Sequence, residues 1–369
     1  LVLVGGGGWD RDAGGRAALD ALTRALGTAE VPLAVTFRCQ DLVDNTAPAY
    51  AGDAGVGMTP AMKRLVGEAE VIVAINTRFG ETSTDGYTLL QVPEPRQRLI
   101  HVHPSDGEIG KVYQAHAAHH AGPAAFAAAL AEALPAVPEG GSAAARRAWA
   151  AEARAGYRAV FDLPAQPEGL DMGAVMAVLR ARLPADAILT NGAGNFAIWP
   201  SKLFVFGPDH RLLAPQAGSM GYGVPAAIAA KLRYPDRTVV CFAGDGDVQM
   251  SLSELGTALQ ARAQPVILVL NNGSYGTIRM HQEREYPGRI SATRIENPDY
   301  VTLGHAYGML AERVAETEAF APALERALAS PTGALLELIV PTEAITPRQS
   351  LSAIRAAAEA ALARGGEPA

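Results

Sequence analysis

Short apolar runs alternate with longer amphipathic segments along most of the chain. Residues 1–4 and 71–75 are runs rich in Val, Ile and Leu, and such runs predict buried strands. Residues 15–26 and 60–68 predict helices. The alternation predicts an α/β fold in which helices cover parallel sheets. Further strands are predicted at 31–37, 99–102, 187–190, 238–243, 266–270 and 333–340, and further helices at 123–134, 171–183, 299–315 and 350–363.

Residues 238–276 predict a strand, a helix and a second strand in succession. The first strand stops at Gly244-Asp245-Gly246, and the second stops at Asn271-Asn272. Two parallel strands joined by a right-handed crossover have their carboxyl ends at the same edge of the sheet. We therefore expect Asp245 and Asn272 to lie side by side.

The helix of this unit is predicted to begin near Ser251 and to end before Pro265. Ser251 and Glu254 have the spacing of a capping box. Apolar residues follow on one helical face. These residues are Leu252, Leu255, Ala258 and Leu259.

The expected neighbours carry oxygen ligands that suit a hard cation. A carboxylate, an amide oxygen and a loop carbonyl after Asn272 form a partial shell for Mg²⁺, which completes its octahedron with phosphate oxygens and water. Gly244 and Gly246 allow close backbone approach, and the helix near Ser251 directs its positive end towards the same place. The sequence thus predicts a metal-bridged diphosphate at the end of a parallel sheet.

The Gly-Asp-Gly and Asn-Asn motifs, with Asp245 and Asn272 27 positions apart, resemble a known signature. It is the thiamine diphosphate signature of the superfamily of acetolactate synthase, pyruvate decarboxylase and benzoylformate decarboxylase. The resemblance is closest to the large subunit of acetolactate synthase. The alternative is an ordinary strand-helix-strand unit with a tight Asp-Gly turn.

Two upstream segments extend the resemblance. Residues 216–231 resemble the segment in which a bulky apolar residue, here Met220, props the cofactor into its bent form; the alternative is a core methionine. The glycine loop at 191–196 resembles a segment that touches the diphosphate, although a simple strand-to-helix turn is the alternative. Acetolactate synthases have a Gln-His pair where this chain has Asn195 and Phe196, and the phenylalanine side chain cannot donate a hydrogen bond.

The resemblance implies three metal ligands, namely the side chains of Asp245 and Asn272 and the carbonyl of Ser274. His281 stands where acetolactate synthases have a tryptophan, so it is either a substrate-pocket residue or a solvated helix histidine. The implied contacts to thiamine diphosphate are Gly192, Gly194, Asn195, Gly218, Ser219, Met220, Gly244, Asp245, Gly246, Asp247, Val248, Asn272, Ser274, Tyr275 and Gly276.

The expected organisation is two doubly wound parallel-sheet domains. Residues 1–135 are predicted to form a central Rossmann-like domain, 136–170 a linker rich in Pro, Gly, Ala and Arg, and 171–369 the C-terminal thiamine diphosphate-binding domain. The dinucleotide fingerprint is not met, because Asp10 stands where a glycine or alanine is required. Some members carry FAD in the central domain, and Arg78-Phe79 faintly resembles a pair found there, but the surrounding residues do not support FAD.

Composition narrows the class of protein. The 369 residues carry a net charge of −7 without basic clusters, which argues against a nucleic-acid partner. No apolar run reaches membrane-spanning length. Cys39 and Cys241 lie in apolar stretches, which argues against a disulfide framework. We expect a cytoplasmic protein.

The resemblance also implies a missing part. In this superfamily a glutamate on an N-terminal pyrimidine-binding domain activates the cofactor, and this chain, which starts within a strand and without methionine, shows no such domain. We expect a homodimer or homotetramer that decarboxylates a 2-keto acid and performs carboligation, dependent on thiamine diphosphate and Mg²⁺. The alternatives are a non-carboligating decarboxylase or C–C lyase, or an incomplete cofactor-binding fragment that is inactive alone.

Overall fold

A computed structural model describes residues 1–9, 14–134, 141–263 and 265–364. The chain forms two compact units. The first comprises Leu1–Asp162 with Val205–Pro208, and the second comprises Leu163–Phe204 with Asp209–Ala369. The predicted linker, 136–170, spans this division, and its residues 136–140 lie outside the described range. The domain boundaries therefore stay predictions.

In the described residues of the first unit, helices cover a six-stranded parallel sheet. Its strands are β1 (Val2–Val4), β2 (Leu33–Thr36), β3 (Tyr50–Ala54), β4 (Val71–Ile75), β5 (Arg98–His103) and β6 (Ala117–His120). Its helices are α1 (Gly15–Thr28), α2 (Pro60–Glu68), α3 (Pro123–Ala133) and α4 (Gly141–Arg158). The strand order β3-β2-β1-β4-β5-β6 is doubly wound.

Two strands of this sheet were not predicted. The sequence of β3, YAGDA, contains Gly and Asp, and that of β6, AAHH, has low strand propensity. Both strands form because each pairs with a strand already present, β2 and β5 respectively. Tertiary pairing here overrides local preference.

The second unit repeats the architecture with strand order β11-β12-β10-β9-β7-β8, all parallel. Its strands are β7 (Ile188–Asn191), β8 (Arg211–Leu213), β9 (Val239–Gly244), β10 (Val266–Asn271), β11 (Leu310–Val314) and β12 (Ala334–Ile339). Its helices are α5 (Met172–Arg182), α6 (Ile198–Leu203), α7 (Gly223–Arg233), α8 (Asp245–Val248), α9 (Glu254–Ala261), α10 (Gly276–Glu285), α11 (Tyr300–Ala306), α12 (Thr317–Ala329) and α13 (Leu351–Ala363). The predicted fold class, two doubly wound parallel sheets, is confirmed.

The predicted capping box is wrong. The chain turns helical at once after β9, as the four-residue α8, and α9 begins only at Glu254 with no side-chain cap from Ser253. The Ser251 hydroxyl is buried without a hydrogen-bond partner. Leu259, predicted on the same apolar face as Leu255 and Ala258, is 57% exposed, whereas those two residues are buried. Helical structure therefore begins inside the Gly-Asp-Gly motif, at Asp245.

The single helix predicted over 299–315 is also wrong. Helix α11 ends at Ala306, and Gly308 has φ +72°, a conformation that stops a helix. The next residues form β11, which pairs with β12. Helix α12 was not predicted.

Helices α10 and α13 are joined by a buried charge cluster. Glu283 is fully buried and accepts hydrogen bonds from Arg355 Nε at 2.7 Å, Arg279 Nε at 2.9 Å and the Gly288 backbone at 2.9 Å. Apolar contact adds to this junction, where Met280 meets Ile345 and residues of α13. The junction fixes the segment that joins β12 to α13.

Among the described residues, no helix combines the length and the apolar character needed to cross a bilayer.

We predict that Glu283→Gln lowers the free energy of unfolding by about 3 kcal/mol, because the partly buried Arg279 and Arg355 lose a charged partner that is itself fully buried. The Arg355 hydrogen bond is the main cause that lowers the pKa of Glu283 from 4.5 to about 2. A depressed carboxyl pKa contributes stability above pH 4.5, and this contribution is lost as the pH falls through about 2. Urea unfolding should show the difference between wild type and variant shrinking below about pH 4.5.

The matched control is Glu285→Gln on the same helix, since that side chain is 56% exposed. It should change stability by less than about 0.5 kcal/mol. An equal effect of both variants would contradict the role of the buried cluster.

Candidate functional site

A cavity of about 300 Å³ opens in the second unit where β7, β9, β10 and β12 end. Ligand sites of open parallel sheets lie at this edge. The lining comes from the loop after β7, the 218–220 loop, α8, the β10–α10 loop, and the segment after β12. The lining residues are Ala193, Gly194, Asn195, Phe196, Trp199, Gly218, Met220, Gly246, Asp247, Leu270, Asn272, Ser274, Tyr275, Gly276, Thr277, Ile278, Val340, Ala344 and Ile345.

Most of the predicted cofactor residues line this cavity. Ten do so, namely Gly194, Asn195, Gly218, Met220, Gly246, Asp247, Asn272, Ser274, Tyr275 and Gly276. Five lie behind or beside the wall, namely Gly192, Ser219, Gly244, Asp245 and Val248. Val248 belongs to the hydrophobic core, and Ser219 is exposed.

Asp245 is a buried carboxylate at the tip of β9, with 3% of its surface exposed. Its Oδ1 accepts from Gly246 N at 3.0 Å, and its Oδ2 accepts from Asn297 Nδ2 at 2.8 Å. Burial raises the pKa of Asp245, while the hydrogen bond from Asn297 lowers it. Each carboxylate oxygen has two acceptor sites, so capacity for a cation remains.

The loop after β10 carries Asn272 and Ser274 next to Asp245. Register places Gly244 opposite Leu270, so the residues that follow β9 and β10 emerge at the same edge of the sheet, and Gly273 N donates to the Asn271 side-chain oxygen at 3.0 Å. The Asn272 side-chain oxygen accepts from Ser274 N at 3.0 Å. The structure thus brings the predicted metal-binding loop to the predicted carboxylate.

Residues 293–297 hold this loop in place, and we call them the strap. Tyr275 N donates to Thr293 O at 2.9 Å, and Ile295 N donates to Gly273 O at 2.9 Å. This pairing brackets Ser274 opposite Arg294 in an antiparallel bridge. In such a pair the residue's own N–H and C=O point away from the partner strand. The Ser274 carbonyl therefore faces away from the strap.

Asp247 joins two glycine-containing loops at the cavity. Its Oδ1 accepts from Gly221 N at 2.8 Å and from Ala193 N at 3.2 Å, and 2% of its surface is exposed. A Cβ on Gly192 would lie 2.0 Å from the same oxygen. Glycine is thus required at position 192 by the carboxylate packed against it.

Aromatic packing is a second reason why the Gly-Asp-Gly motif requires glycine at positions 244 and 246, besides the close approach of a ligand. A Cβ on Gly244 would lie 2.7 Å from the Phe196 ring, and a Cβ on Gly246 would lie 2.6 Å from the Tyr275 ring. The sequence alone gave only the close approach of a ligand as the reason. Two ring contacts now account for both positions.

The structure does not bring His281 to the cavity. Its side chain is 51% exposed, and its Nδ1 lies 4.0 Å from Glu285 Oε1, one turn along α10. Thr277, from the start of the same helix, lines the wall instead and donates from Oγ1 to Asn195 Oδ1 at 3.0 Å. The solvated-histidine alternative matches this placement.

Sequence reasoning missed the polar residues behind Asp245. Asn297 contacts both Asp245 and Asn271, and Asn271 in turn contacts Glu337. Glu337 is a charged residue inside the apolar strand β12, and buried charges require partners. That signal was available, whereas nothing in the local sequence marks Asn297.

The donor set fits a hard cation. Within the described ranges, no three His, Cys, Asp or Glu side chains converge on a metal position. A cation at this edge would therefore depend on one carboxylate with amide and carbonyl oxygens, and Mg²⁺ accepts such ligands. The residues present fit the predicted group.

Two family models match the chain. The central domain of thiamine pyrophosphate enzymes matches residues 1–130, and their C-terminal, cofactor-binding domain matches residues 192–338. The chain belongs to the thiamine pyrophosphate enzymes. The resemblance seen in the sequence is thereby confirmed, and the cavity lining, apart from Val340, Ala344 and Ile345, lies within the part matched by the cofactor-binding domain.

The relatives of the chain include acetolactate synthase large subunits. The Escherichia coli isozyme 2 large subunit is 27% identical over 345 residues, which is 92% of this chain and 59% of the relative. The Parasynechococcus marenigrum protein is 29% identical over 92% of this chain and 54% of the relative. The Corynebacterium glutamicum protein is 29% identical, covering 89% and 52%. The chain thus spans little more than half the length of these relatives.

We predict that Gly192→Ala destabilises the thiamine pyrophosphate enzyme by about 1–3 kcal/mol, because the new methyl group overlaps Asp247. Urea unfolding should show less than additive loss when Asp247→Ala is combined with it. Gly67→Ala in α2 is the control, since its Cβ meets no atom within 4 Å. Full additivity in the double variant would show that the clash is not the cause.

Proposed function

We propose that this chain, within its full-length protein, binds thiamine diphosphate through Mg²⁺ and catalyses 2-keto acid decarboxylation with carboligation, in the manner of an acetolactate synthase. One observation carries the proposal. Asp245 is buried with a raised pKa beside the cavity, and no ion pair with Lys or Arg is seen for it in the described part of the chain. A buried carboxylate of this kind is stabilised by a cation.

The proposed ligands are the Asp245 carboxylate, the Asn272 side-chain oxygen and the Ser274 carbonyl. Asn272 and Ser274 lie on the cavity wall, and Asp245 directly precedes Gly246 on that wall. Three protein oxygens leave the remaining octahedral positions to phosphate oxygens and water, which is the usual way that proteins hold Mg²⁺.

The rest of the cavity suits the organic part of the cofactor. Met220, Leu270, Val340 and Ile345 give it an apolar side. When bound, the cofactor supplies an electron sink for breaking the bond to the substrate carboxylate. The chain's own contribution is to hold the diphosphate end of the cofactor at Asp245 and Asn272. The apolar side chains of the cavity keep water from the other end.

A further domain of the full-length protein is proposed to cover the mouth of the cavity. Ile278 on the wall is 54% exposed and Tyr275 is 36% exposed, while Met250, packed near Gly221, is 59% exposed. Exposed apolar side chains grouped around a cavity favour an interface. We assign this surface to an N-terminal pyrimidine-binding domain that carries the activating glutamate, in a homodimer or homotetramer.

Phe196 favours a second candidate function. It lines the cavity where the resemblance to acetolactate synthases leads us to expect a hydrogen-bonding pair. An apolar wall there offers no donor to a second keto acid. The alternative is therefore a non-carboligating 2-keto acid decarboxylase or a C–C lyase.

We predict that Asp245→Ala weakens Mg²⁺-dependent binding of thiamine diphosphate at least about 100-fold, since removal even of residues behind a metal ligand costs about 10–100-fold. Calorimetric titration with and without Mg²⁺ measures this loss. Asp236→Ala, at an exposed loop of the same unit, is the control and should bind as wild type does. Unchanged affinity in Asp245→Ala would contradict the proposed ligand set.

Product analysis distinguishes the two candidate reactions. We predict that the full-length protein supplied with pyruvate, thiamine diphosphate and Mg²⁺ forms acetolactate. Acetaldehyde as the sole product would favour the decarboxylase, and the Asp245→Ala protein serves as the blank.

A further inference from the structure

A carboxylate is buried in the second sheet on β12, the strand next to the edge strand β11, and it is not part of the cavity wall. Glu337 lies in β12 with 2% of its surface exposed. Its Oε2 accepts from Arg313 Nε at 2.7 Å, and its Oε1 accepts from Asn271 Nδ2 at 2.7 Å. Arg313, on β11, is half exposed and supplies the countercharge. The hydrogen bonds from Arg313 through Glu337 to Asn271 therefore extend from solvent to the tip of β10.

The path continues from Asn271 to Asp245. The Asn271 side-chain oxygen accepts from Asn297 Nδ2 at 2.9 Å, and the same nitrogen donates to Asp245 Oδ2 at 2.8 Å. An amide nitrogen carries two hydrogens, so one serves each acceptor. An unbroken path of hydrogen bonds thus joins Arg313 to the proposed metal ligand.

The charge of Glu337 fixes the polarity of this path. A carboxylate only accepts, so Asn271 must present its NH₂ group to Glu337 and its oxygen to the other side. That oxygen accepts from the Gly273 backbone N–H at 3.0 Å and from Asn297 Nδ2 at 2.9 Å. Because the Asp245 carboxylate also only accepts, Asn297 presents its NH₂ group to both Asn271 and Asp245. The Asn297 oxygen accepts from Gln249 Nε2 at 2.8 Å. Each amide has a single orientation that satisfies its neighbours.

The strap gives Asn297 its place. Its residues pair with the loop that bears Asn272 and Ser274. Tyr300, the first residue of α11, donates from its hydroxyl to the Asp245 carbonyl at 2.9 Å. Asn297 is therefore held on both sides against the same two strand tips.

We propose that Asn297 is a positioning residue for the cation site, oriented through Asn271 by Glu337, and that it holds the Asp245 carboxylate in the orientation that binds the metal. The inference rests on the proposed function. Residues directly behind a ligand set its orientation, and their loss costs about 10–100-fold in metal affinity.

The test measures binding of Mn²⁺, as a probe for Mg²⁺, by electron paramagnetic resonance on the full chain with saturating thiamine diphosphate. Asn297→Leu and Glu337→Gln should each weaken binding about tenfold or more. Glu312→Gln is the matched control. Glu312 lies on β11 beside Arg313 and accepts two bonds from Arg326 at 2.6–2.7 Å, outside the path described. It should leave the affinity unchanged.

The double variant separates positioning from general loss of structure. If Glu337 acts through Asn297, then Asn297→Leu with Glu337→Gln binds no more weakly than Asn297→Leu alone. Additive losses, or losses matched by Glu312→Gln, would overturn the inference. Wild-type affinity in both single variants, with Asp245→Ala still impaired, would overturn it while leaving the proposed function intact. A wild-type chain that binds no Mn²⁺ would overturn both.

Discussion

The parallel register of β9 against β10 is the constraint on which the site depends. Because Gly244 lies opposite Leu270, the residues that follow each strand emerge at the same level of the sheet. The Asp245 carboxylate and the Asn272 amide, which are far apart in the chain, therefore become neighbours although the two side chains do not bond to each other. The strap then pairs with the second of these loops and closes the arrangement.

This constraint also explains why so much polarity is buried here. Strands of a parallel sheet are covered on both faces, so Asp245 and Glu337 are removed from water and Asn271 between them is partly buried. Buried polar groups are tolerated when each has partners. The hydrogen bonds among them satisfy that condition, and the apolar core around β9 and β10 excludes competing water.

The sequence predicted the fold class, because strands and helices are marked by local patterns of period two and 3.6. It also predicted most of the cavity lining, since motif spacing and parallel topology together place strand tips. It did not predict Asn297 or the strap, whose partners lie 52 and 19 residues away in the chain. The strand β11 was mispredicted for a related reason, because its pairing with β12 decides its structure and local preference does not.

The bond from Asp247 to two separate loops has a thermodynamic consequence. The Ala193 and Gly221 amides are held by a carboxylate that belongs to the protein, so both loops are ordered during folding. A ligand entering the cavity then meets walls already in place. The loss of backbone freedom that weakens many association reactions has occurred beforehand, and affinity depends mainly on the contacts made.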